Sequence, residues 1–108
     1  MSIRLVNLSF TGYTFAMIGR IRHKGLKRLH EQRDASGIGG DMRKRVVRIL
    51  SILAAADSIE KADVPGYRLH ALTGDRLGVW SLKVNANWRI TFRFVDGYAE
   101  DIDLEDYH

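Results

Sequence analysis

The chain of 108 residues contains no cysteine, so it can form no disulfide, no zinc–thiolate site and no cysteine nucleophile. It also lacks an uninterrupted apolar run of the roughly 18 residues that a membrane-spanning helix requires. No glycine-rich phosphate loop follows a predicted strand, and no spacing of His, Asp and Glu matches a metal site. We therefore predict no metal, no small-molecule cofactor and no membrane association. The length of the chain predicts one domain, and the absence of cysteine fits the reducing cytoplasm.

Basic and acidic residues are unevenly distributed along the chain. Residues 1–94 hold all 17 Lys and Arg with seven acidic residues, a net charge of +10, whereas residues 95–108 hold six acidic residues and no Lys or Arg. The basic body can attract a polyanion such as RNA or an acidic protein, and the acidic end can pair with internal arginines. A solvated basic surface without a binding role is the alternative.

The first 16 residues differ from the rest, since Arg4 is their only charged residue. We predict an N-terminal extension over residues 1–16, either flexible or added by a start assigned upstream of Met17. The folded domain is expected over residues 17–108.

Two helices are predicted in the first half of this domain. A short strand at residues 18–22 precedes a helix over His23–Gln32, and Asp41 is a good N-cap for a second helix that runs to about Ala56. The second helix carries apolar residues at i, i+4, i+7, i+8 and i+11. These are Met42, Val46, Ile49, Leu50 and Leu53.

From Tyr67 onward the apolar residues recur with a period of two, which is typical of antiparallel strands with one buried and one polar face. A strand is predicted over Tyr67–Leu72, and three further strands follow it. The predicted fold class is therefore α+β, with two N-terminal helices packed on one face of a small, mainly antiparallel sheet.

The strand register can be predicted from parity, that is, from whether the apolar residues of neighbouring strands have odd or even numbers. A slip of one residue would move every side chain to the opposite face of the sheet. A three-residue loop at Asn85–Asn87, with Asn87 left-handed, pairs Leu82 with Ile90. A second three-residue loop at Val95–Gly97 sets Arg89 opposite Asp103. A two-residue turn in that second loop is rejected, since it would bury the acidic residues of the last strand.

The same rule of odd and even numbering pairs His70 with Ser81 on the polar face of the sheet. Neighbouring strands lie about 4.8 Å apart, so His70 and Arg89 could flank one phosphate. A guanidinium at Arg89 can clamp a phosphate and stabilise a transition state, although a simple charge pair with Asp103 is the alternative. The polar face is predicted to hold Arg68, His70, Lys83, Arg89, Thr91 and Arg93 together.

The chain ends in Asp106-Tyr107-His108, an acid, a phenol and an imidazole. With His70 and Arg89 they are the groups that phosphoryl transfer on RNA needs when no metal takes part. A frayed end without function is the alternative.

Several motifs together resemble the HigB (plasmid maintenance killer) toxins, which belong to the RelE superfamily of ribosome-dependent mRNA endonucleases. The resemblance covers residues 17–108. The motifs are Arg22-His23-Lys24-Gly25-Leu26, Pro65-Gly66-Tyr67-Arg68-Leu69-His70, Gly78-Val79-Trp80-Ser81, Asn87-Trp88-Arg89-Ile90-Thr91-Phe92 and the terminal Asp106-Tyr107-His108.

This resemblance implies a toxin that cleaves mRNA in the ribosomal aminoacyl site and is bound by a HigA-like helix-turn-helix antitoxin. It also implies five active-site residues, namely His70, Arg89, Asp106, Tyr107 and His108. One departure is Leu72-Thr73-Gly74, where the family often has a basic residue, so Arg68 or Arg76 would have to supply that charge. We expect RNA or phosphate to be bound by Arg68, Arg76, Lys83 and Arg93.

Two other classes of function stay open at this point. The superfamily also includes ParE-like proteins that poison DNA gyrase and cleave no RNA, and these generally lack the catalytic set. A non-catalytic RNA- or protein-binding domain would use the same basic face, with His70 and His108 as ordinary surface residues.

Overall fold

The computed structural model describes residues 18–106 in full and the backbone of residues 4–8 and 12–16. The elements are β1 (Arg4–Leu8), β2 (Gly12–Ala16), α1 (Lys24–Gln32), α2 (Arg43–Ala55), β3 (His70–Ala71), β4 (Val79–Lys83), β5 (Trp88–Val95) and β6 (Tyr98–Asp106). Strands β3 to β6 form a four-stranded antiparallel sheet in chain order, and β1 pairs with β2 in a separate two-stranded sheet. With two α-helices beside the larger sheet in the described residues, the predicted α+β class is confirmed.

The extension predicted at residues 1–16 contains the antiparallel pair of β1 and β2, which the sequence did not lead us to expect. The division of the chain into an extension and a domain beginning at Met17 stays a prediction.

Helix α1 begins and ends close to the predicted positions. The Nδ1 atom of His23 accepts a hydrogen bond from the backbone N–H of Leu26 at 3.1 Å, so a histidine caps the helix. The helix ends at Gln32 and is capped by Arg33, whose left-handed backbone (φ 57°) turns the N–H of Asp34 back toward the carbonyl of Arg28 at 3.4 Å.

The N-cap predicted for α2 is wrong. A tight turn, closed by a hydrogen bond of 2.9 Å from the N–H of Met42 to the carbonyl of Gly39, leads into the helix. Asp41 therefore lies in that turn, and Met42 takes the cap position without a side-chain hydrogen bond. The helix ends at Ala55, one residue before the predicted boundary.

The apolar stripe of α2 belongs to a single hydrophobic core that also contains residues of the sheet. All five predicted stripe residues are buried, and Val46, Ile49 and Leu53 have no exposed surface. From the sheet, Leu82 and Phe92 are equally inaccessible. Burial of this kind stabilises a fold by about 1.5–3 kcal/mol for each large apolar side chain.

Residues 18–22 run beside β6 rather than forming the predicted continuous strand. Two isolated parallel bridges connect them to it, Ile18 with Ala99 and Ile21 with Ile102. This segment therefore extends one edge of an otherwise antiparallel sheet.

The first predicted hairpin is confirmed in its register, since Leu82 faces Ile90 across β4 and β5. The left-handed conformation predicted for Asn87 is wrong, because Asn87 is not among the positive-φ residues of the described chain. Instead the side-chain Oδ1 of Asn85 accepts hydrogen bonds from the N–H groups of Asn87 (2.9 Å) and Trp88 (2.8 Å), which closes the loop.

The second hairpin contradicts the three-residue loop predicted at Val95–Gly97. Val95 faces Tyr98 across a two-residue turn, in which Asp96 (φ 52°) and Gly97 (φ 86°) are both left-handed. Two successive left-handed residues are typical of the tight turn that best matches the twist of antiparallel strands.

A bulge in β6 explains why this turn does not bury the acidic residues. The register shifts between Thr91 and Arg93, so that Asp101 (φ 51°) and Ile102 lie where β5 supplies a single residue. The extra residue reverses the alternation of β6 halfway along the strand. As a result Thr91 faces Asp103, and Arg89 faces Glu105 rather than the predicted Asp103.

Strand β3 is shorter than the predicted Tyr67–Leu72 and comprises His70 and Ala71 only. The left-handed backbone of Arg68 (φ 52°) interrupts the extended conformation that a longer strand would need. The predicted pairing of His70 with Ser81 is nevertheless confirmed.

Candidate active site

A pocket of about 300 Å³ lies on the polar face of the sheet, between β3 and the hairpin of β4 and β5. It brings together four of the predicted site residues, namely Arg68, His70, Lys83 and Arg89. His70 and Lys83 are exposed, whereas Arg89 is half-buried. The remaining lining residues are Leu69, Ser81, Asn85, Ala86 and Trp88.

The strand ladder explains why these side chains converge. Ser81 and Lys83 lie two residues apart on β4, so both point to the same face. His70 faces Ser81 from β3, and Arg89 faces Lys83 from β5. Three strands thus direct an imidazole, an ammonium and a guanidinium into one pocket, a group that suits a phosphate and its reacting oxygens.

Arg68 also lines the pocket, although the alternation of side chains along a strand does not explain its position. Because its backbone is left-handed, its side chain does not follow the in–out pattern of an extended strand. Arg68 does lie with His70, as predicted, but the strand from which its position was predicted begins only at His70.

A second depression, of about 460 Å³, lies further along the same face. It contains Arg76 and Arg93, the other two residues predicted to bind RNA or phosphate. It also contains carboxylates from β6, Asp101 and Asp103 among them. The four predicted phosphate ligands are therefore divided between two sites, with only Arg68 and Lys83 beside His70.

Arg76 is committed to an ion pair that the sequence analysis missed. Its two terminal nitrogens donate to both carboxylate oxygens of Glu105, at 3.1 and 2.7 Å, from the short turn Gly74–Arg76. The hydroxyl of Thr91 donates to the same carboxylate. A bidentate pair of this kind fixes the guanidinium in one geometry. Arg76 therefore stabilises β6 and does not line the pocket around His70.

The ion pair changes the acidity of both partners in the expected directions. The hydrogen bond from Arg76 lowers the pKa of Glu105, the bond from Thr91 and the charges of Arg76 and Arg89 add to this, and partial burial opposes it. The same hydrogen bond raises the pKa of Arg76. Glu105 is thus held as a carboxylate directly across the ladder from Arg89.

Replacing Glu105 by glutamine is expected to lower the free energy of unfolding at neutral pH by about 1–2 kcal/mol, allowing for the partial exposure of Arg76. The folded-state pKa lies below the unfolded-state value of about 4.3, so this stabilisation is fully present above that value. It is lost as the pH falls through the folded-state pKa. Urea unfolding should therefore show a difference between wild type and variant at pH 7 that shrinks below about pH 4.

The matched control is Glu60→Gln, which changes an exposed carboxylate in the turn Ile59–Ala62. It should alter the unfolding free energy little at either pH. A Glu105→Gln difference that stays the same down to about pH 2 would contradict the charge-based account of this network.

The last described residue, Asp106, faces Trp88 at the end of β6. Trp88 lines the pocket, so Asp106 pairs with one of the pocket residues. Tyr107 and His108 lie outside the described residues, and their predicted site roles stay predictions.

Within the described part of the chain, no group of three or more His, Asp or Glu side chains is arranged to hold a metal ion. Over the same residues, neither α-helix has the length and apolar character needed to cross a bilayer.

Comparison with known proteins agrees with the resemblance carried by the motifs. A profile of the HigB-like toxins, described as RelE-like toxins of the type II toxin–antitoxin system HigB, matches residues 19–108. The chain is also 44% identical over 92 residues to a Proteus vulgaris protein named Endoribonuclease HigB, an alignment that covers 85% of this chain and 100% of that protein. The profile match includes every residue of the pocket.

Proposed function

The chain belongs to the HigB-like toxins of type II toxin–antitoxin systems, and we propose that it is an endoribonuclease that cleaves mRNA in the ribosomal aminoacyl site. The proposed reaction needs no metal. The ribose 2′-OH attacks its own 3′-phosphate, the O2′–P bond forms and the P–O5′ bond breaks. The products are a 2′,3′-cyclic phosphate and a 5′-OH.

The observation that carries this proposal is the pocket in which His70, Arg89, Lys83 and Arg68 converge. Three cations around an imidazole suit a phosphodiester that gains negative charge as it reacts. The half-buried Arg89 is the group best placed to stabilise that charge, because a partly desolvated guanidinium interacts more strongly than an exposed one.

Proton transfer is assigned to the histidines. His108, with Asp106, would accept the proton of the 2′-OH, and the second acid–base group would protonate the leaving O5′. His70 would be that second group or would bind the phosphate, and Tyr107 would stack on a base. Each such proton-transfer role is typically worth about 10²–10⁴ in rate.

Arg68 is the residue that we propose supplies the charge missing at Thr73. Thr73 is exposed just before the turn Gly74–Arg76. Of the two arginines considered as substitutes, Arg76 is bound to Glu105, whereas Arg68 lines the pocket.

The proposal also includes the partners of the toxin. Membership of a type II system implies an antitoxin, and we propose a HigA-like helix-turn-helix protein acting in the cytoplasm. The RelE-like arrangement, with both helices on one face of the sheet, would leave the polar face open to mRNA. The single core that combines α1, α2 and sheet residues supports this arrangement.

Mapping the 5′ ends of cellular mRNA after induction tests the proposal against the two other functions. Cuts within translated codons, absent when initiation is blocked, are the expected result. DNA breaks without RNA cuts would instead identify a gyrase poison of the ParE type. Growth arrest with neither kind of break would identify a non-catalytic binder.

A further inference from the structure

One wall of the pocket lies outside the strand ladder. This wall is carried by the segment 66–69, of which Arg68 and Leu69 line the pocket. The segment precedes the two-residue strand β3 and contains two left-handed residues, Gly66 (φ 95°) and Arg68 (φ 52°). An irregular segment of this kind lacks the regular hydrogen bonds that hold a strand in place. Its position must therefore come from other contacts.

Tyr67 is buried in the hydrophobic core, and Arg45 on α2 supplies two side-chain hydrogen bonds to the backbone of this region. Its Nη2 atom donates to the carbonyl of Gly66 at 2.5 Å, and its Nε atom donates to the carbonyl of Lys83 at 3.0 Å. Its guanidinium carbon also lies 4.1 Å from the centre of the Tyr67 ring. One side chain thus contacts both the wall of the pocket and the strand that forms its floor.

A backbone hydrogen bond joins the same two segments. The N–H of Lys83 donates to the carbonyl of Tyr67 at 2.7 Å. Lys83 is therefore held on both its N–H and its carbonyl. The pocket residue Arg68 directly follows Tyr67, whose carbonyl accepts this bond, and His70 comes two residues after Arg68.

The chemistry of this contact requires arginine. A planar guanidinium can donate to two carbonyls in fixed directions while stacking on an aromatic ring, whereas a lysine ammonium is a single point charge. Arg45 is half-buried between these groups, unlike Arg48, which is exposed on the same helix.

We propose that Arg45 is a positioning residue for RNA cleavage, which holds the 66–69 wall against β4 so that Arg68 and His70 meet the phosphate in a preset geometry. This inference rests on the proposed function. Displacement of catalytic groups by about 1 Å can cost about 10²-fold in rate, so a residue that touches no substrate can still limit the chemical step.

The test compares Arg45→Met and Arg45→Lys with the matched control Arg48→Met, using single-turnover cleavage of ribosome-bound mRNA at saturating toxin. Each variant is assayed well below its own Tm, so that the unfolded fraction is negligible. Both Arg45 variants should be slower than wild type by about 10–100-fold, with Arg48→Met within about twofold. Lysine keeps the positive charge but cannot bind both carbonyls as a guanidinium does. A slow Arg45→Lys variant would therefore show that the two hydrogen bonds are required, and not the charge alone.

Amide hydrogen exchange of residues 67–70 is measured on the same proteins. Faster exchange in the Arg45 variants, but not in Arg48→Met, is the expected result. Rates of Arg45→Met or Arg45→Lys equal to that of Arg48→Met, or unchanged exchange, would overturn the inference. If wild type itself cleaves no mRNA, the proposed function fails instead, and the exchange data still decide whether Arg45 holds the wall.

Discussion

His70→Gln is expected to slow mRNA cleavage on the ribosome by about 10²–10⁴-fold and to relieve growth arrest in cells. His70 is exposed at the start of β3 and lines the pocket beside Arg89. Glutamine keeps similar size and hydrogen-bonding capacity but cannot exchange a proton near neutral pH. The measurement is the rate of codon-specific cleavage in a purified translation system.

The matched control for this prediction is His30→Gln on α1, a histidine that does not line the pocket. It should retain cleavage close to that of wild type. Because His70 is exposed and contributes no apolar core contact, His70→Gln should keep the wild-type Tm. Undiminished cleavage by a folded His70→Gln protein would remove His70 from the mechanism.

Local apolar spacing was enough to predict the helices and the first hairpin. The stripe from Met42 to Leu53 and the pairing of Leu82 with Ile90 both follow from residues that must be buried together. The grouping of His70, Lys83 and Arg89 on one face follows from the same parity. These predictions succeed because the period of a strand or helix decides the face on which a side chain lies.

Parity could not predict the register of the second hairpin. A three-residue loop keeps the acidic residues on the polar face, but so does a two-residue turn followed by a bulge at Asp101. The two solutions differ by two residues, which decides whether Asp103 or Glu105 faces Arg89. Alternation alone does not distinguish them.

The residues that sequence reasoning missed act through tertiary contacts. The acidic final strand was expected to brace internal arginines, and Glu105 does bind Arg76, although the predicted pair was Arg89 with Asp103. Arg45 is one of four basic residues between positions 43 and 48, and the sequence does not distinguish it from the others. Only the folded chain brings Gly66 and Lys83 to it, from segments distant in sequence.

His108→Gln is expected to abolish growth arrest while leaving the fold intact, with a loss of cleavage of about 10²–10⁴-fold. Asp106, two residues before His108 in the sequence, faces Trp88, which lines the pocket. In the proposed mechanism His108 accepts the proton of the 2′-OH, a role that the neutral amide of glutamine cannot take. A folded His108→Gln protein that remains fully toxic would exclude the terminal motif from catalysis.

The double variant His70→Gln/His108→Gln tests whether the two histidines act in the same step. When two residues act as a unit on one transition state, removing either of them already removes most of the rate enhancement. The double variant should therefore cleave only slightly more slowly than the slower single variant. If the two losses multiply, the histidines contribute independently. His70 would then be a phosphate ligand, and His108 with Asp106 would remain the proton-moving pair.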